Sequence, residues 1–242
     1  MNLVIDVGNS MVKLAVFDKD QMVFKDTVPI GRLNRNIHTI SLDYPQIEWA
    51  IISSVARLET SRMMALEERF KLFKLDHSSK LPFENCYKTP ETLGVDRLAL
   101  VGAAFKTYPN TDVLIIDAGT CITFDFINNK NAYLGGAISP GIDMRYKALH
   151  NLTANLPLLD VKKPDSLIGN STQGAMHSGV VHGVLKEIDG VIQAYQQKYP
   201  DLTVILTGGD AKFLSKQLKS SIFANSNFLL EGLNYLLQFN TI

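Results

Sequence analysis

The sequence has few cysteines, no excess charge and no long apolar run, and each absence makes a class of protein unexpected. Its 242 residues include two cysteines, Cys86 and Cys121, and no CxxC pair, so neither a disulfide framework nor a structural zinc site is expected. Lys+Arg and Asp+Glu number 24 each, so bulk charge gives no reason to expect nucleic acid or an anionic membrane as a partner. No apolar run reaches the roughly 18 residues of a transmembrane helix, and we see no secretory leader. A cytoplasmic protein is therefore expected.

The residues that are present suit one large or two small globular domains. The chain is 46% hydrophobic and 20% charged, enough for a substantial core. Residues 3–75 read as three strands followed by alternating helix and strand, the pattern of an α/β domain with a mixed sheet. A second unit of strands starts at Asp112, so we predict a domain boundary near Pro109, dividing the chain into 1–110 and 111–242.

The first motif is a strand, a turn of small residues and a second strand between Leu3 and Asp18. Gly8 would let the backbone approach a phosphate closely, and Lys13 would offer a mobile positive charge. Asp6, at the end of the first strand, could hold hydrated Mg²⁺. An ordinary β-hairpin turn has the same residue types, so this motif by itself leaves both interpretations open.

The same pattern returns later in the chain, where Asp117-Ala118-Gly119-Thr120 lies between two apolar runs. A repeat of this length indicates two copies of one domain plan. Two such domains could face each other, with their phosphate-binding turns meeting at a cleft. Thr207-Gly208-Gly209 is a third candidate turn, where a nucleotide could lie against the backbone, although it also reads as a plain strand-to-helix turn.

Asp96 is the candidate catalytic base, since it lies at a predicted helix start beside Arg97. An acidic residue there could equally serve only to stabilise the helix dipole. Helix starts also bind anions, so Arg97 and the free N–H groups could hold a substrate carboxylate. Thr172–Lys198 reads as a long helix with four glycines, whose cost we expect close packing against a neighbouring element or a second subunit to offset.

Six motifs follow one another along the chain, namely Asp6–Ser10 with Lys13, Gly94–Arg97, Asp117–Thr120, Gly135–Gly141, Gly169–Thr172 and Thr207–Asp210. In this order they make the sequence resemble the type III pantothenate kinases of the acetate kinase, sugar kinase, Hsp70 and actin superfamily. One departure is Ser10, where Thr is commoner, and both residues carry a hydroxyl.

The resemblance implies a fold of two ribonuclease-H-like (actin-like ATPase) domains, each a mixed sheet flanked by helices, with a cleft between them. It implies a transferase that phosphorylates the primary hydroxyl of pantothenate with ATP, the first step towards coenzyme A. It also implies Mg²⁺ with ATP, a monovalent cation (K⁺ or NH₄⁺), and a homodimer with the acceptor pocket at the subunit interface. No nucleic acid or membrane partner is expected.

The resemblance also assigns roles to residues. Asp96 matches the general base, and Asp117 matches the ligand of the monovalent cation. The residues that match ATP contacts are Asp6, Val7, Gly8, Asn9, Ser10, Met11, Val12, Lys13 and Thr120. The residues that match pantothenate contacts are Tyr87, Gly94, Val95, Asp96, Arg97 and Thr172.

Two other functions fit parts of the same pattern. One is a different small-molecule kinase of the superfamily, acting on a sugar or acetate. The other is a nucleotide-binding regulator that has kept the fold and lost catalysis. Decay of Asp96, Asp117 or the glycine turns would mark such a regulator, and all of these are intact.

Overall fold

The computed structural model describes residues 1–8, 11–54 and 60–241, and these divide into two compact units. Unit 1 comprises Met1–Pro109, Asn131–Tyr133 and Asn227–Ile242, and unit 2 comprises Asn110–Lys130 and Leu134–Ser226. The predicted domain boundary after residue 110 stays a prediction, because compactness alone does not establish that a segment folds independently.

Unit 1 is a five-stranded mixed sheet in the order β3-β2-β1-β4-β5, with helices on both faces. Its strands are β1 (Asn2–Val7), β2 (Met11–Asp18), β3 (Gln21–Pro29), β4 (Trp49–Ser54) and β5 (Lys71–Lys74), with a short β6 (Glu84–Asn85) outside this sheet. Its helices are α1 (Leu33–Asp43), α2 (Thr60–Glu67), α3 (Val95–Thr107) and α8 (Phe228–Thr241).

The alternation of side chains along β1 decides which helices cover each face. Leu3, Ile5 and Val7 pack in one core with residues of α1 and α2. The intervening residues, including Asp6, point to the other face, where α8 contacts β1 and β4 and α3 packs along α8. The first turn of α3 carries Asp96, so the helix that begins with the candidate base lies on the same side of the sheet as Asp6.

Unit 2 repeats this plan around its own core, with strands in the order β11-β10-β7-β8-β9. Its strands are β7 (Val113–Ala118), β8 (Cys121–Ile127), β9 (Ala132–Pro140), β10 (Thr203–Thr207) and β11 (Phe223–Ala224). Its helices are α4 (Ile142–Asn151), α5 (Thr172–His177), α6 (Gly183–Lys198) and α7 (Ala211–Ser215), with a π-helical turn (Ser178–His182) between α5 and α6. The first two residues of β9 belong to unit 1, where they pair in parallel with β6.

The two sheets correspond strand by strand. In each, the central strand (β1 or β7) has an antiparallel neighbour that follows it in a hairpin (β2 or β8) and a parallel neighbour from later in the chain (β4 or β10). This confirms the predicted α/β fold of two mixed sheets flanked by helices.

Several local predictions differ from the structure. The segment predicted as one helix from Thr172 to Lys198 is interrupted by the π-helical turn. Most of the segment Gly135–Gly141, including Ser139 and Pro140, is the end of β9. For the glycines of the segment Thr172–Lys198 we expected close packing against a neighbouring element or a second subunit. A methyl group added at Gly179, Gly183 or Gly190 would meet nothing within 4 Å in the described chain, so no neighbouring element there packs closely against these three glycines.

A membrane-spanning helix would need a long apolar segment. In the described ranges, none of the helices has the length and hydropathy that crossing a bilayer demands.

Candidate active site

The hairpin between β1 and β2 places an acid and a lysine side by side. Asp6 and Lys13 are partners in the antiparallel register, and Lys13 Nζ lies 3.4 Å from Asp6 Oδ2. The turn is closed by the Gly8 N–H, which donates to the Met11 carbonyl at 3.0 Å. Asp6 is 7% exposed, so the hairpin holds a buried carboxylate beside a half-exposed ammonium group.

The electrostatics of Asp6 link the hairpin to α3. Burial raises the pKa of the Asp6 carboxyl above its ordinary value, and the Lys13 ammonium opposes this rise. The Asp96 carboxylate adds to the increase in the pKa of Asp6. Two carboxylates that repel each other in this way favour a cation near them.

The start of α3 orients Asp96 through its own backbone. Gly94 is the N-cap, and Asp96 Oδ1 accepts a hydrogen bond from the Arg97 N–H at 2.9 Å. The carboxylate therefore folds back over the first turn, where a Cβ at Gly94 would lie 2.4 Å from Oδ1. Glycine at residue 94 leaves the room that this carboxylate occupies.

Arg97 is buried at 4% exposure and lies in a stack of aromatic side chains. Its guanidinium carbon is 5.5 Å from the centre of the Tyr87 ring. Tyr87 stacks in turn on Tyr133, with ring centres 6.2 Å apart and planes 7° from parallel. Tyr133 is fully buried, and its carbonyl accepts from the Cys86 N–H, so β9 and the segment after β6 hold Tyr87 against the arginine. A planar guanidinium held in this way suits a carboxylate ligand.

Three backbone turns meet around Asp117 in unit 2. Gly208 has a left-handed φ of +95°, and a Cβ there would lie 2.4 Å from Asp117 Oδ1. Gly141 donates its N–H to the Thr120 carbonyl at 3.0 Å, and a Cβ at Gly141 would be 2.0 Å from the Gly119 carbonyl oxygen. Backbone can approach this closely only where the side chain is a hydrogen atom.

Asp210 is a further acidic group at this place, and its N–H donates to the Ala118 carbonyl at 2.9 Å. Burial raises the pKa of Asp210 to about 6, and the nearby carboxylate of Asp143 adds to the rise. The sequence patterns included Asp210 only as the last residue of the segment Thr207–Asp210, and they did not include Asp143. Each follows a glycine turn at the start of a helix, where an acidic residue is commonplace and gives little signal.

Two buried hydroxyl groups lie beside the two strand-end acids, Asp6 and Asp117. Ser53 is the parallel register partner of Asp6, and Thr123 is the antiparallel partner of Asp117. Within the described ranges, Ser53 Oγ and Thr123 Oγ1 are buried and form no hydrogen bond. Buried hydroxyls are normally satisfied, so both suit a ligand, a bound water or an ion. One or two carboxylates with phosphate and water oxygens are the usual surroundings of Mg²⁺.

In unit 1 the structure brings Lys13 beside Asp6, Tyr87 beside Arg97, and Gly94 beside Asp96. Val7 and Val12 are register partners with buried side chains, so they can offer ATP only their backbone, whereas Met11 is exposed. Asn9 and Ser10 lie outside the described residues. Thr172 opens α5 and lines a groove of unit 2 with residues of α4.

The two similar mixed sheets and these turns define the fold, which is the one seen in actin-like ATPases and sugar kinases. The chain is similar in structure to a glucokinase from an Antarctic psychrotroph, with a TM-score of 0.53 and 12% identity over 98% of both chains. It is also similar to a protein from Campylobacter jejuni assigned to the Baf family of transcriptional activators, with a TM-score of 0.64 and 22% identity over 98% of both chains. At these identities the likeness shows the fold alone.

The sequence comparisons are more specific. The family model described as type III pantothenate kinase matches residues 2–194. The chain is 50% identical over 240 residues to the type III pantothenate kinase of Christiangramia forsetii, covering 99% of each chain. It is 45% identical over 239 residues to that of Flavobacterium johnsoniae, covering 99% of this chain and 98% of the relative. The chain belongs to the type III pantothenate kinase family.

Proposed function

We propose that this protein transfers the γ-phosphoryl group of ATP to the primary hydroxyl of pantothenate, giving 4'-phosphopantothenate for coenzyme A synthesis. The observation that carries the proposal is the start of α3, where Asp96 and the buried Arg97 adjoin each other in a chain of this family. A carboxylate to accept a proton and a guanidinium to bind a carboxylate are what this reaction requires.

In the proposed reaction, Asp96 orients the acceptor hydroxyl and receives its proton. The hydroxyl oxygen forms a bond to the γ-phosphorus while the bond from that phosphorus to the β–γ bridging oxygen breaks, and ADP leaves with the electron pair. In a loose transition state the proton moves late, so Asp96 need only orient the hydroxyl and accept its proton at the end of the step. The backbone N–H of Arg97 holds Asp96 Oδ1 in place meanwhile.

The pantothenate carboxylate is bound by positively charged and hydrogen-bond-donating groups. Arg97 and the N–H groups at the start of α3 bind the pantothenate carboxylate, with Tyr87, Gly94 and Val95 around it. Arg97 is held over Tyr87 before the ligand arrives, so little ordering is needed on binding. We assign Thr172 as a further acceptor contact, from the family resemblance.

We assign ATP binding to Asp6–Lys13 and to Thr120. The Lys13 ammonium would neutralise phosphate charge, and backbone N–H groups of the glycine turns would donate to phosphate oxygens. Asp6 and the Ser53 hydroxyl would hold Mg²⁺, which neutralises charge on the phosphates when bound. Asp117 would bind K⁺ or NH₄⁺, and we expect Na⁺ in place of K⁺ to reduce the rate sharply.

We also propose a homodimer. A groove of about 740 Å³ between α4 and α5 is lined mainly by apolar side chains, and Leu152 at its edge is 83% exposed. The open space beside Gly179 lies along the same groove. Sedimentation of the full chain should give twice the monomer mass, and a monomer at micromolar concentration would contradict this.

We expect the enzyme in the cytoplasm, where ATP is available.

The test is a panel of acceptors assayed for ADP release with ATP, Mg²⁺ and K⁺. We expect turnover with pantothenate and none with glucose, N-acetylmannosamine or acetate. Turnover of a sugar without turnover of pantothenate would favour another kinase of the superfamily. ATP binding without turnover of any acceptor would favour a nucleotide-binding regulator.

A further inference from the structure

The two units place an acid at the same point of the same sheet but give it different neighbours. Asp6 and Asp117 are each the last residue but one of their central strand. The antiparallel partner of Asp6 is Lys13, whereas the antiparallel partner of Asp117 is Thr123. Register partners carry their side chains on the same face of a sheet, so one acid adjoins an ammonium group and the other a hydroxyl.

The parallel neighbours of the two acids are alike, so the two sites differ in the antiparallel partner of the acid. Ser53 stands beside Asp6 and Thr207 stands beside Asp117, and both are small hydroxyl residues. Each acid with its two register partners forms a set of three residues. The two sets therefore differ by one positive charge, which belongs to Lys13 in unit 1. Its ammonium nitrogen lies 3.4 Å from Asp6 Oδ2.

The surroundings of Thr123 suit an ion in the place of that ammonium group. Threonine is much shorter than lysine, and Thr123 Oγ1 is buried without a hydrogen bond in the described part of the chain. Glycine at residue 208 keeps Oδ1 of Asp117 approachable, since a Cβ there would lie 2.4 Å from it. Hydroxyl and carboxylate oxygens are suitable ligands for K⁺, and NH₄⁺ has the same chemistry as the head group of lysine.

We propose that a monovalent cation beside Asp117 and Thr123 takes the place that the Lys13 ammonium group has in unit 1, with Thr123 Oγ1 as one of its ligands. The inference rests on the proposed function for the assignment of a cation to Asp117. It adds the residue that makes room for the ion, and it implies that a lysine at residue 123 makes the ion redundant.

The experiment measures Tl⁺ binding to the full chain by ²⁰⁵Tl NMR, with Mg²⁺, a non-hydrolysable ATP analogue and K⁺ as competitor. Wild type should bind Tl⁺, and folded Thr123→Lys should bind it at least about tenfold more weakly. K⁺ should also raise the thermal unfolding midpoint of wild type more than that of Thr123→Lys. Wild-type Tl⁺ affinity in folded Thr123→Lys, or no binding by wild type, would overturn the inference.

A second pair of variants applies even if lysine at residue 123 prevents folding. Thr123→Val removes the hydroxyl and keeps the shape, so it should weaken Tl⁺ binding about tenfold, whereas Thr123→Ser should retain it. The matched control is Thr39→Val, a threonine on the exposed side of α1 in unit 1. Equal Tl⁺ affinity in Thr123→Val and Thr123→Ser would overturn the inference.

These measurements contain no pantothenate, so they separate the inference from the proposed function. Tl⁺ binding that depends on Thr123, in a protein that does not phosphorylate pantothenate, would support the inference and remove the function. If wild type phosphorylates pantothenate but the variants at residue 123 bind Tl⁺ as tightly as wild type does, the inference alone would be removed.

Discussion

Gly94 and Asp96 are so close that a methyl group on residue 94 would lie 2.4 Å from Asp96 Oδ1. The backbone φ of Gly94 is −58°, which alanine adopts readily, so Gly94→Ala should fold. The Asp96 carboxylate is the end of a side chain and must rotate away. We expect kcat for pantothenate to fall between about 10- and 100-fold, because small displacements of catalytic groups cost that much.

The control for this variant is Gly31→Ala, where the added methyl group meets nothing within 4 Å. It should retain wild-type kcat, and both variants should keep thermal midpoints close to wild type. Unchanged kcat in Gly94→Ala would contradict the assigned position of Asp96.

Arg97 should discriminate acceptors by their carboxylate. Arg97→Lys keeps the charge and loses the fork of donors, so we expect KM for pantothenate to rise about 10-fold or more. The alcohol analogue of pantothenate, which lacks the carboxylate, should show a much smaller change in KM. The comparison is made by steady-state kinetics with both acceptors, and Arg35→Lys on α1 is the matched control. An equal rise in KM for both acceptors would mean that Arg97 does not bind the carboxylate.

The Ser53 hydroxyl should contribute to nucleotide binding and not to the stability of the fold. Its buried hydroxyl has no hydrogen-bond partner among the described residues, so Ser53→Ala should leave the unfolding midpoint unchanged or higher. If the hydroxyl serves Mg²⁺-ATP, KM for ATP should rise about 5- to 10-fold, the value of one hydrogen bond. Ser41→Ala, on α1, is the control. A lower midpoint together with unchanged KM would contradict this role.

Asp210 should make stability depend on pH. Its folded pKa of about 6 lies above its ordinary value of 3.8, so the folded state binds the proton more tightly. The charged form therefore destabilises wild type above pH 6, and this cost disappears as pH falls towards 4. Asp210→Asn, which loses no side-chain capping bond, should unfold at higher urea than wild type at pH 8 and at a similar concentration at pH 4.5. A difference that does not change with pH would contradict the raised pKa.

The parts of this protein that could be predicted from sequence depend on local patterns. The two hairpins with their acids and glycines follow from alternating apolar runs around small residues, and their likeness predicted two similar sheets. The helix start around Gly94 is visible in the sequence and is confirmed, whereas the roles of Asp96 and Arg97 stay predictions.

The parts that could not be predicted depend on contacts between distant segments. Ser53 lies beside Asp6 through parallel pairing of β1 with β4, and no local pattern indicates that register. Tyr133 supports Tyr87 through the two-residue strand β6, which is too short to give an alternating pattern. Asp143 approaches Asp210 from a separate helix start in the same unit.

The most direct test of the central claim is the rate of phosphoryl transfer to pantothenate in a single turnover by wild type and Asp96→Asn. With enzyme in excess over ATP, the account predicts that wild type forms one 4'-phosphopantothenate per ADP. It predicts that Asp96→Asn forms it about 10²-fold more slowly or worse, the range of general acid–base catalysis, while binding ATP nearly as well. Transfer by Asp96→Asn at the wild-type rate would contradict the account.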